Sequence, residues 1–402
     1  MTDRSRSTSD TRRSFLRKLS SITVCAAGTV IVGKGAGATH LPETAPDRKK
    51  GLHAGEWPAI ESFKKIDIHT HISTDADYLR EVMEALNLKM FTICNEGLKV
   101  DRLAAQVEAA KELAAHPRYY AWATTFGFDG MYDAGWHDQV IAFLRDGFEH
   151  DALAVKIWKE IGMEVRDREG RLVQVDDPHF DPILAYVASE GKTLFSHTGD
   201  PVHRWLSFGP ELERDGWYRE GAGLDNRVGR FRGEIAYDAM MLARDRMLHR
   251  HPELRVVGCH LGSMAFDVDL VADRLDRFPN LAVETSSATG ALMDQAREKV
   301  RSFFLRYQDR ILYGADISGG VVPTPYLIDM SRLHERKTPA ELDSSKQALM
   351  RRYRADLAYY ATDRPISRRG YVVRGLALSE AVLNKIFYEN AVRWVPGIDQ
   401  GH

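Results

Sequence analysis

Ile66-Asp67-Ile68-His69-Thr70-His71 is an apolar run that ends in two histidines two residues apart. Side chains alternate along a strand, so His69 and His71 face the same way. In a barrel strand both imidazoles would point inward at the C-terminal end. Seven further runs resemble the first: Met90–Cys94, Tyr119–Thr125, Ala154–Trp158, Thr193–His197, Arg255–His260, Leu281–Glu284 and Ile311–Ala315. Most are continuously apolar over four to seven residues, the pattern of parallel strands buried on both faces.

Helical spacing fills the gaps. Leu103, Val107, Ala110 and Ala114 share one face, as do Val268, Val271, Leu275 and Phe278, and Val300, Phe303, Phe304 and Tyr307. His116-Pro117 and His251-Pro252 stop two helices before the next strand. Eight strand–helix units predict an α/β fold, a single (β/α)8 barrel. A doubly wound open sheet is the competitor, but no Gly-rich dinucleotide fingerprint follows any strand. Long connections follow strand five (Gly199 to Gly233) and strand eight (Ile317 to Leu378), on the face where barrel active sites lie. A final helix, Ser379 to Asn390, is expected to close the barrel.

The 402 residues carry a formal net charge of −2 and three Cys. The near-neutral balance argues against nucleic-acid binding, the absence of long apolar runs against a multi-span membrane protein, and the cysteine count against a disulfide scaffold. The charge is uneven. Residues 1–38 hold seven basic and two acidic residues, a net of +5 that leaves −7 on the rest. Arg12-Arg13, the mildly apolar stretch Leu19 to Val32 and Ala36-Gly37-Ala38 follow in the order of a cleavable twin-arginine signal. Residues 1–38 are thus expected to be a Tat signal peptide and 39–60 a linker or N-terminal wrap. The barrel would occupy 61–402. Export to the periplasm or the medium by the Tat machinery follows, with no stable membrane anchor. Cys94 and Cys259 fall at the tips of opposite strands, too far apart for a bridge.

Polar residues recur where the apolar runs stop: His69 and His71, His197, His260 and Asp316. Two histidines on one strand face, with histidine and carboxylate at other tips, suit Zn²⁺, Mn²⁺ or Fe²⁺ rather than a Cys-rich structural zinc. Here the sequence resembles the amidohydrolase superfamily, and more narrowly the branch with aminocarboxymuconate-semialdehyde decarboxylase and the resorcylate-type decarboxylases. The resemblance runs from Ile66 to Trp394. It is carried by the His-x-His pair, Phe195 to Pro201, Gly258-Cys259-His260-Leu261-Gly262, Ile311 to Asp316, and Phe387-Tyr388-Glu389-Asn390-Ala391.

The resemblance implies one divalent metal, Zn²⁺ with Mn²⁺ or Fe²⁺ as alternatives, held by His69, His71, His197 and Asp316. His260 would be the acid/base residue, and Asp316 would also move a proton. Many relatives bridge two metals with a carboxylated lysine on strand four. Lys156 stands there and has three readings: that bridge, a cation for a substrate carboxylate, or a structural partner of Asp or Glu. Arg204, in the connection after strand five with Arg227, Arg230, Arg232 and several aromatics, is a second candidate for gripping an acidic or aromatic substrate, and a packed lid or a subunit contact is the other reading of that segment. Asp67, Asp200 and Glu284 are candidate orienting carboxylates or plain buried ones. The arginines after strand eight read as a solvated helix face.

The expected activity is hydrolysis of an amide, ester or lactone of a small acidic or aromatic molecule by metal-activated water. The alternative is non-hydrolytic decarboxylation of an aromatic or unsaturated acid at the same site. A homo-oligomer is left open, and the small-molecule substrate is unnamed.

Overall fold

The computed structural model describes residues 61–95, 100–200, 202, 237–318, 338–368 and 371–402. The signal and linker segments, Arg204 and its neighbours after strand five, and the first part of the connection after strand eight lie outside them.

The strands are β1 (Lys65–His71), β2 (Leu88–Ile93), β3 (Tyr120–Thr124), β4 (Ala152–Ile157), β5 (Thr193–Ser196), β6 (Arg255–Gly258), β7 (Leu281–Glu284), β8 (Ile311–Leu312) and β9 (Ile317–Ser318). All pair in parallel with their sequence neighbours from β1 to β8, and β9 pairs with β1. The seam between first and last strands is closed by two amides: Ile68 N–H donates to Tyr313 O and Asp316 N–H to His69 O. The result is the eight-stranded (β/α)8 barrel. The crossovers include α1 (Asp77–Leu86), α2 (Val100–Ala114), α3 (Trp136–Glu149), α4 (Asp181–Ser189), α5 (Tyr237–Arg250), α6 (Val268–Arg277) and α7 (Arg297–Arg306). Their buried positions follow the predicted faces: Leu103, Val107 and Ala110 on α2, and Val268, Val271 and Leu275 on α6.

Several expected boundaries move. β5 and β6 stop at Ser196 and Gly258, so His197 and His260 lie just beyond the sheet. Strand eight is broken: β8 ends at Leu312, and Asp316 sits before β9 with φ 59°. The described part of the connection after strand eight is regular structure. It holds the 23-residue α8 (Pro339–Ala361), started by a Thr338/Glu341 capping box, and a hairpin of β10 (Pro365–Arg368) and β11 (Tyr371–Arg374). Its arginines are partly paired: Arg352 faces Asp356, Arg354 faces Glu61 and Arg368 faces Asp294.

The barrel interior is filled by Ile66, Ile68, Phe91, Ile93, Ala123, Ala154, Phe195, Val257 and Leu312. The closing helix runs past Asn390. The residues that plug the interior are Ala391, Trp394, Val395 and Ile398. Asn390 itself is buried, and its amide donates to Gln308 O and Ile311 O, fixing the entry to β8. Among the described residues no helix is long and apolar enough to cross a membrane.

Candidate metal centre

Strict alternation cannot place Ile66, Ile68, His69 and His71 all inside the barrel, yet the structure does. The register of β1 against β2 shifts between Asp67 and Thr70, where three steps on β1 match two on β2. This bulge flips the side-chain parity, as bulges beside active sites do. Ile66 and Ile68 fill the core below, and His69 and His71 turn inward above. Asp67 stabilises the irregularity. Its Oδ1 accepts the amides of His69 (3.1 Å) and Ala315 (3.0 Å), and its Oδ2 accepts Tyr353 Oη from α8 (2.7 Å). Burial pushes the Asp67 carboxyl up to about 7, against these bonds.

Three donors converge above the core. His69 Nε2 lies 3.7 Å and His71 Nε2 3.5 Å from Asp316 Oδ1. The ligand atoms of His69, His71 and Asp316 all lie within 4.8 Å of one another. The other ring nitrogens are occupied. His69 Nδ1 donates to Glu284 Oε1 (2.8 Å) and His71 Nδ1 to Ile93 O (3.1 Å). Both Nε2 atoms are therefore aimed at one point, the arrangement outer partners impose on metal-binding histidines. Burial, then Lys156, pulls His69 down to about 3, so its ring is neutral. Burial opposes ionisation of Asp316, but the neighbouring imidazoles outweigh it and hold the carboxyl well below its usual range. A neutral His69 beside an ionised carboxylate fits a divalent cation.

A second group, His69 with Cys259 and Glu284, also clusters within that distance. It does not fit a cation. His69 Nδ1 already donates to Glu284, and burial pushes the Cys259 thiol up to about 12.

His197 joins neither group. Its ring packs 4.4 Å from that of His260, edge to face, and 6.4 Å from Trp158. Burial, then His260 and Lys156, drives it well below the usual imidazole range. His260 Nδ1 donates to Ser286 O (2.8 Å), with Ser286 Oγ also 2.8 Å away. Lys156 faces inward, fully buried, and its ammonium donates to the Cys259 thiol (3.0 Å). Asp200 pairs with Lys159, which lies over the Trp158 ring.

Glu284 has a larger part than its sequence context suggested. Its Oε1 accepts His69 Nδ1, the His260 amide (2.8 Å) and Ser286 Oγ (2.7 Å), and its Oε2 accepts the Ser286 amide (2.5 Å). These bonds outweigh burial and hold the carboxyl at about 2. Gly314 makes the approach possible, since a Cβ there would lie 2.6 Å from Glu284 Oε2 and 3.0 Å from His69 Cβ. Ser286 was missed in the sequence. Its signal was the polar run Glu284-Thr285-Ser286, which puts Glu284, the last residue of β7, and Ser286 just beyond it on one side.

His260 sits on unusual backbone. His260, Leu261, Gly262 and Ser263 have φ of 55°, 53°, 62° and 61°, one turn of left-handed helix. For the three non-glycine residues this costs roughly 1–2 kcal/mol each. Such strain persists only where surrounding contacts impose it, and it concentrates at functional sites.

A family model described as amidohydrolase matches residues 66–397. The chain belongs to the amidohydrolase family. No curated protein matches it significantly. Among solved structures, an amidohydrolase II shares 14% identity over 83% of this chain and 99% of its own, with a TM-score of 0.47. A 2,6-dihydroxybenzoate decarboxylase in complex with 2,6-dihydroxybenzoate shares 13% over 83% and 98% (TM-score 0.43). A 4-oxalomesaconate hydratase from Rhodopseudomonas palustris shares 11% over 84% and 97% (TM-score 0.42).

Proposed function

We propose that the protein is an exported, metal-dependent hydrolase that cleaves an amide, ester or lactone of a small acidic or aromatic molecule. The observation that carries the reading is the convergence of His69 Nε2, His71 Nε2 and Asp316 Oδ1, each imidazole aimed by a fixed bond at Nδ1. In this reading His69, His71 and Asp316 hold one divalent ion, Zn²⁺ first among candidates, and His197, outside their cluster, is the fourth ligand on the family resemblance alone. The ion supplies Lewis acidity and a more acidic water. His260 spends Nδ1 on Ser286, which leaves Nε2 to accept or return a proton at the scissile group. Asp316, ionised and against both histidines, takes the proton of the attacking water and passes it to the leaving group. The Lys156 ammonium attracts an acidic substrate from beneath the site, its one hydrogen-bond acceptor among the described residues being a thiol.

The test combines elemental analysis of the purified chain with a panel of lactones, amides and aromatic acids in H₂¹⁸O. We expect about one equivalent of metal, lost in His69→Ala and Asp316→Ala, and ¹⁸O in the product. Full activity without metal would sink the proposal, and CO₂ release without ¹⁸O incorporation would replace hydrolysis with decarboxylation. Export is read separately. The extracytoplasmic protein should begin after Ala38, and replacing Arg12 and Arg13 with Lys should retain it in the cytoplasm.

A further inference from the structure

Arg244 on α5 is fully buried. A guanidinium out of water normally sits in a bidentate pair with a carboxylate. Among the described residues this one does not. The nearest carboxylate oxygen among them, Asp245 Oδ1, is 3.6 Å from Nη2, beyond hydrogen-bond reach. Asp245 gives its other oxygen to Arg274 (3.3 Å) and Arg277 (3.4 Å). The short bond of Arg244 runs instead from Nη1 to the carbonyl of Gly262 (2.5 Å), inside the left-handed turn that begins at His260. Nη2 meets the Met264 sulfur at 3.9 Å, and among the described residues Nε has no partner. Tyr237, at the first turn of the same helix, donates its hydroxyl to the next carbonyl, that of Ser263.

The fit is close. A Cβ on Gly262 would lie 2.9 Å from Arg244 Nη1, and one on Gly258 would lie 3.0 Å from Gly262 Cα. Two donors from one helix thus grip successive carbonyls at the far end of the turn. At the near end Glu284 holds the His260 amide. The turn is fixed at both ends, and its one titratable side chain is the imidazole on Ser286.

From this geometry we infer that Arg244, with Tyr237, is a positioning residue for His260: it sets the left-handed turn that aims the imidazole and has no part in holding the metal. The inference rests on the reading of His260 as the acid/base group. Arg244 contacts none of His69, His71 or Asp316 among the bonds described.

The test uses the metal-loaded full-length protein in three variants: Arg244→Met, Arg244→Lys and Tyr237→Phe. A misplaced catalytic group costs about 100-fold, so Arg244→Met should lose about that in kcat with KM and metal content unchanged. Arg244→Lys, which keeps one donor for the Gly262 carbonyl, should recover part of the loss. Should Arg244→Met fail to fold, Tyr237→Phe still reports, with a smaller fall in kcat alone. The His260 ring ¹⁵N signals, assigned with His260→Gln, should shift in Arg244→Met while those of His69 and His71 stay put. That readout needs no substrate, so it separates failure of this inference from failure of the hydrolase reading. Wild-type kcat and an unmoved His260 signal in a folded Arg244→Met would overturn it. An equal loss of metal would also overturn it, by making Arg244 a general support of the site.

Discussion

Glu284→Gln is the most searching perturbation of the centre, since it changes one oxygen to nitrogen and leaves the shape. The carboxylate accepts four hydrogen bonds, three at Oε1 and one at Oε2. An amide keeps one oxygen. Its best placement puts that oxygen at ε1 and turns its NH₂ toward the Ser286 amide, donor against donor. One bond to a charged group is then lost, worth roughly 1.5–3 kcal/mol. The other three fall from charge-assisted to neutral strength, about half. Relief of the carboxylate's burial works the other way, but its hold at about 2 shows that partners outweigh burial. Only the His69 bond bears directly on the metal, and loss of such an outer partner typically costs 10–100-fold in affinity. We expect zinc affinity, measured by competition with a chromophoric chelator, to fall by about that factor, or ~1.4–2.8 kcal/mol. The bond that Oε1 accepts from the His260 amide weakens as well, so kcat should fall even at saturating metal. Unchanged zinc affinity in a folded Glu284→Gln would refute the claim that Glu284 aims His69.

Three further outcomes follow from the same contacts. Tyr353→Phe removes the hydroxyl that satisfies Asp67 Oδ2 in the buried seam and should cost roughly 1.5–3 kcal/mol in urea unfolding; an unshifted midpoint would deny Asp67 its role in the bulge. Gly314→Ala puts a methyl 2.6 Å from Glu284 Oε2, and overpacking of this kind costs about 1–3 kcal/mol. It should also speed zinc loss to a chelator, and a variant as stable and retentive as wild type would contradict the close approach. Cys94 and Cys259 are buried free thiols whose ionisation burial pushes up to about 12. The thiolate is the reactive form, so neither should label with iodoacetamide at pH 8 until the protein is unfolded. Peptide mapping that finds either one alkylated in the native protein would refute the burial.

The barrel was legible because buried parallel strands leave continuous apolar runs, and seven of the eight runs have their strand within a residue or two of the expected bounds. The histidine pair was legible for a reason that needs amending. Spacing correctly put His69 and His71 on one side, but that side is interior only because of the bulge at Asp67–Thr70. A bulge leaves no mark in the hydropathy of Ile66–His71. The turn at His260 was hidden for a related reason. Left-handed backbone is usually flagged by glycine or asparagine, and here His260, Leu261 and Ser263 adopt it under tertiary contacts. Asp316 likewise reads as the end of an apolar run, while the structure stops the strand at Leu312. The arginines after strand eight did suggest a helix face, but the extent and buried side of α8 escaped because its 23 residues carry little amphipathic contrast, mixing buried Tyr353, Asp356 and Tyr360 with scattered arginines.

The seam of the barrel has a topological meaning. His69 and His71 come from the first strand and Asp316 from the broken last one, and the Asp67–Ala315 bond beside them joins residues 248 apart in sequence. A cation shared by those three would act as a removable cross-link across the longest loop the barrel contains. Loop-closure entropy grows only with the logarithm of length, ~0.6 kcal/mol per doubling, so even this circuit is cheap to close once the intervening units have stacked. The first and last strands would then be the last to meet during folding and the first to part. Metal uptake would be the latch that decides when the ring counts as closed.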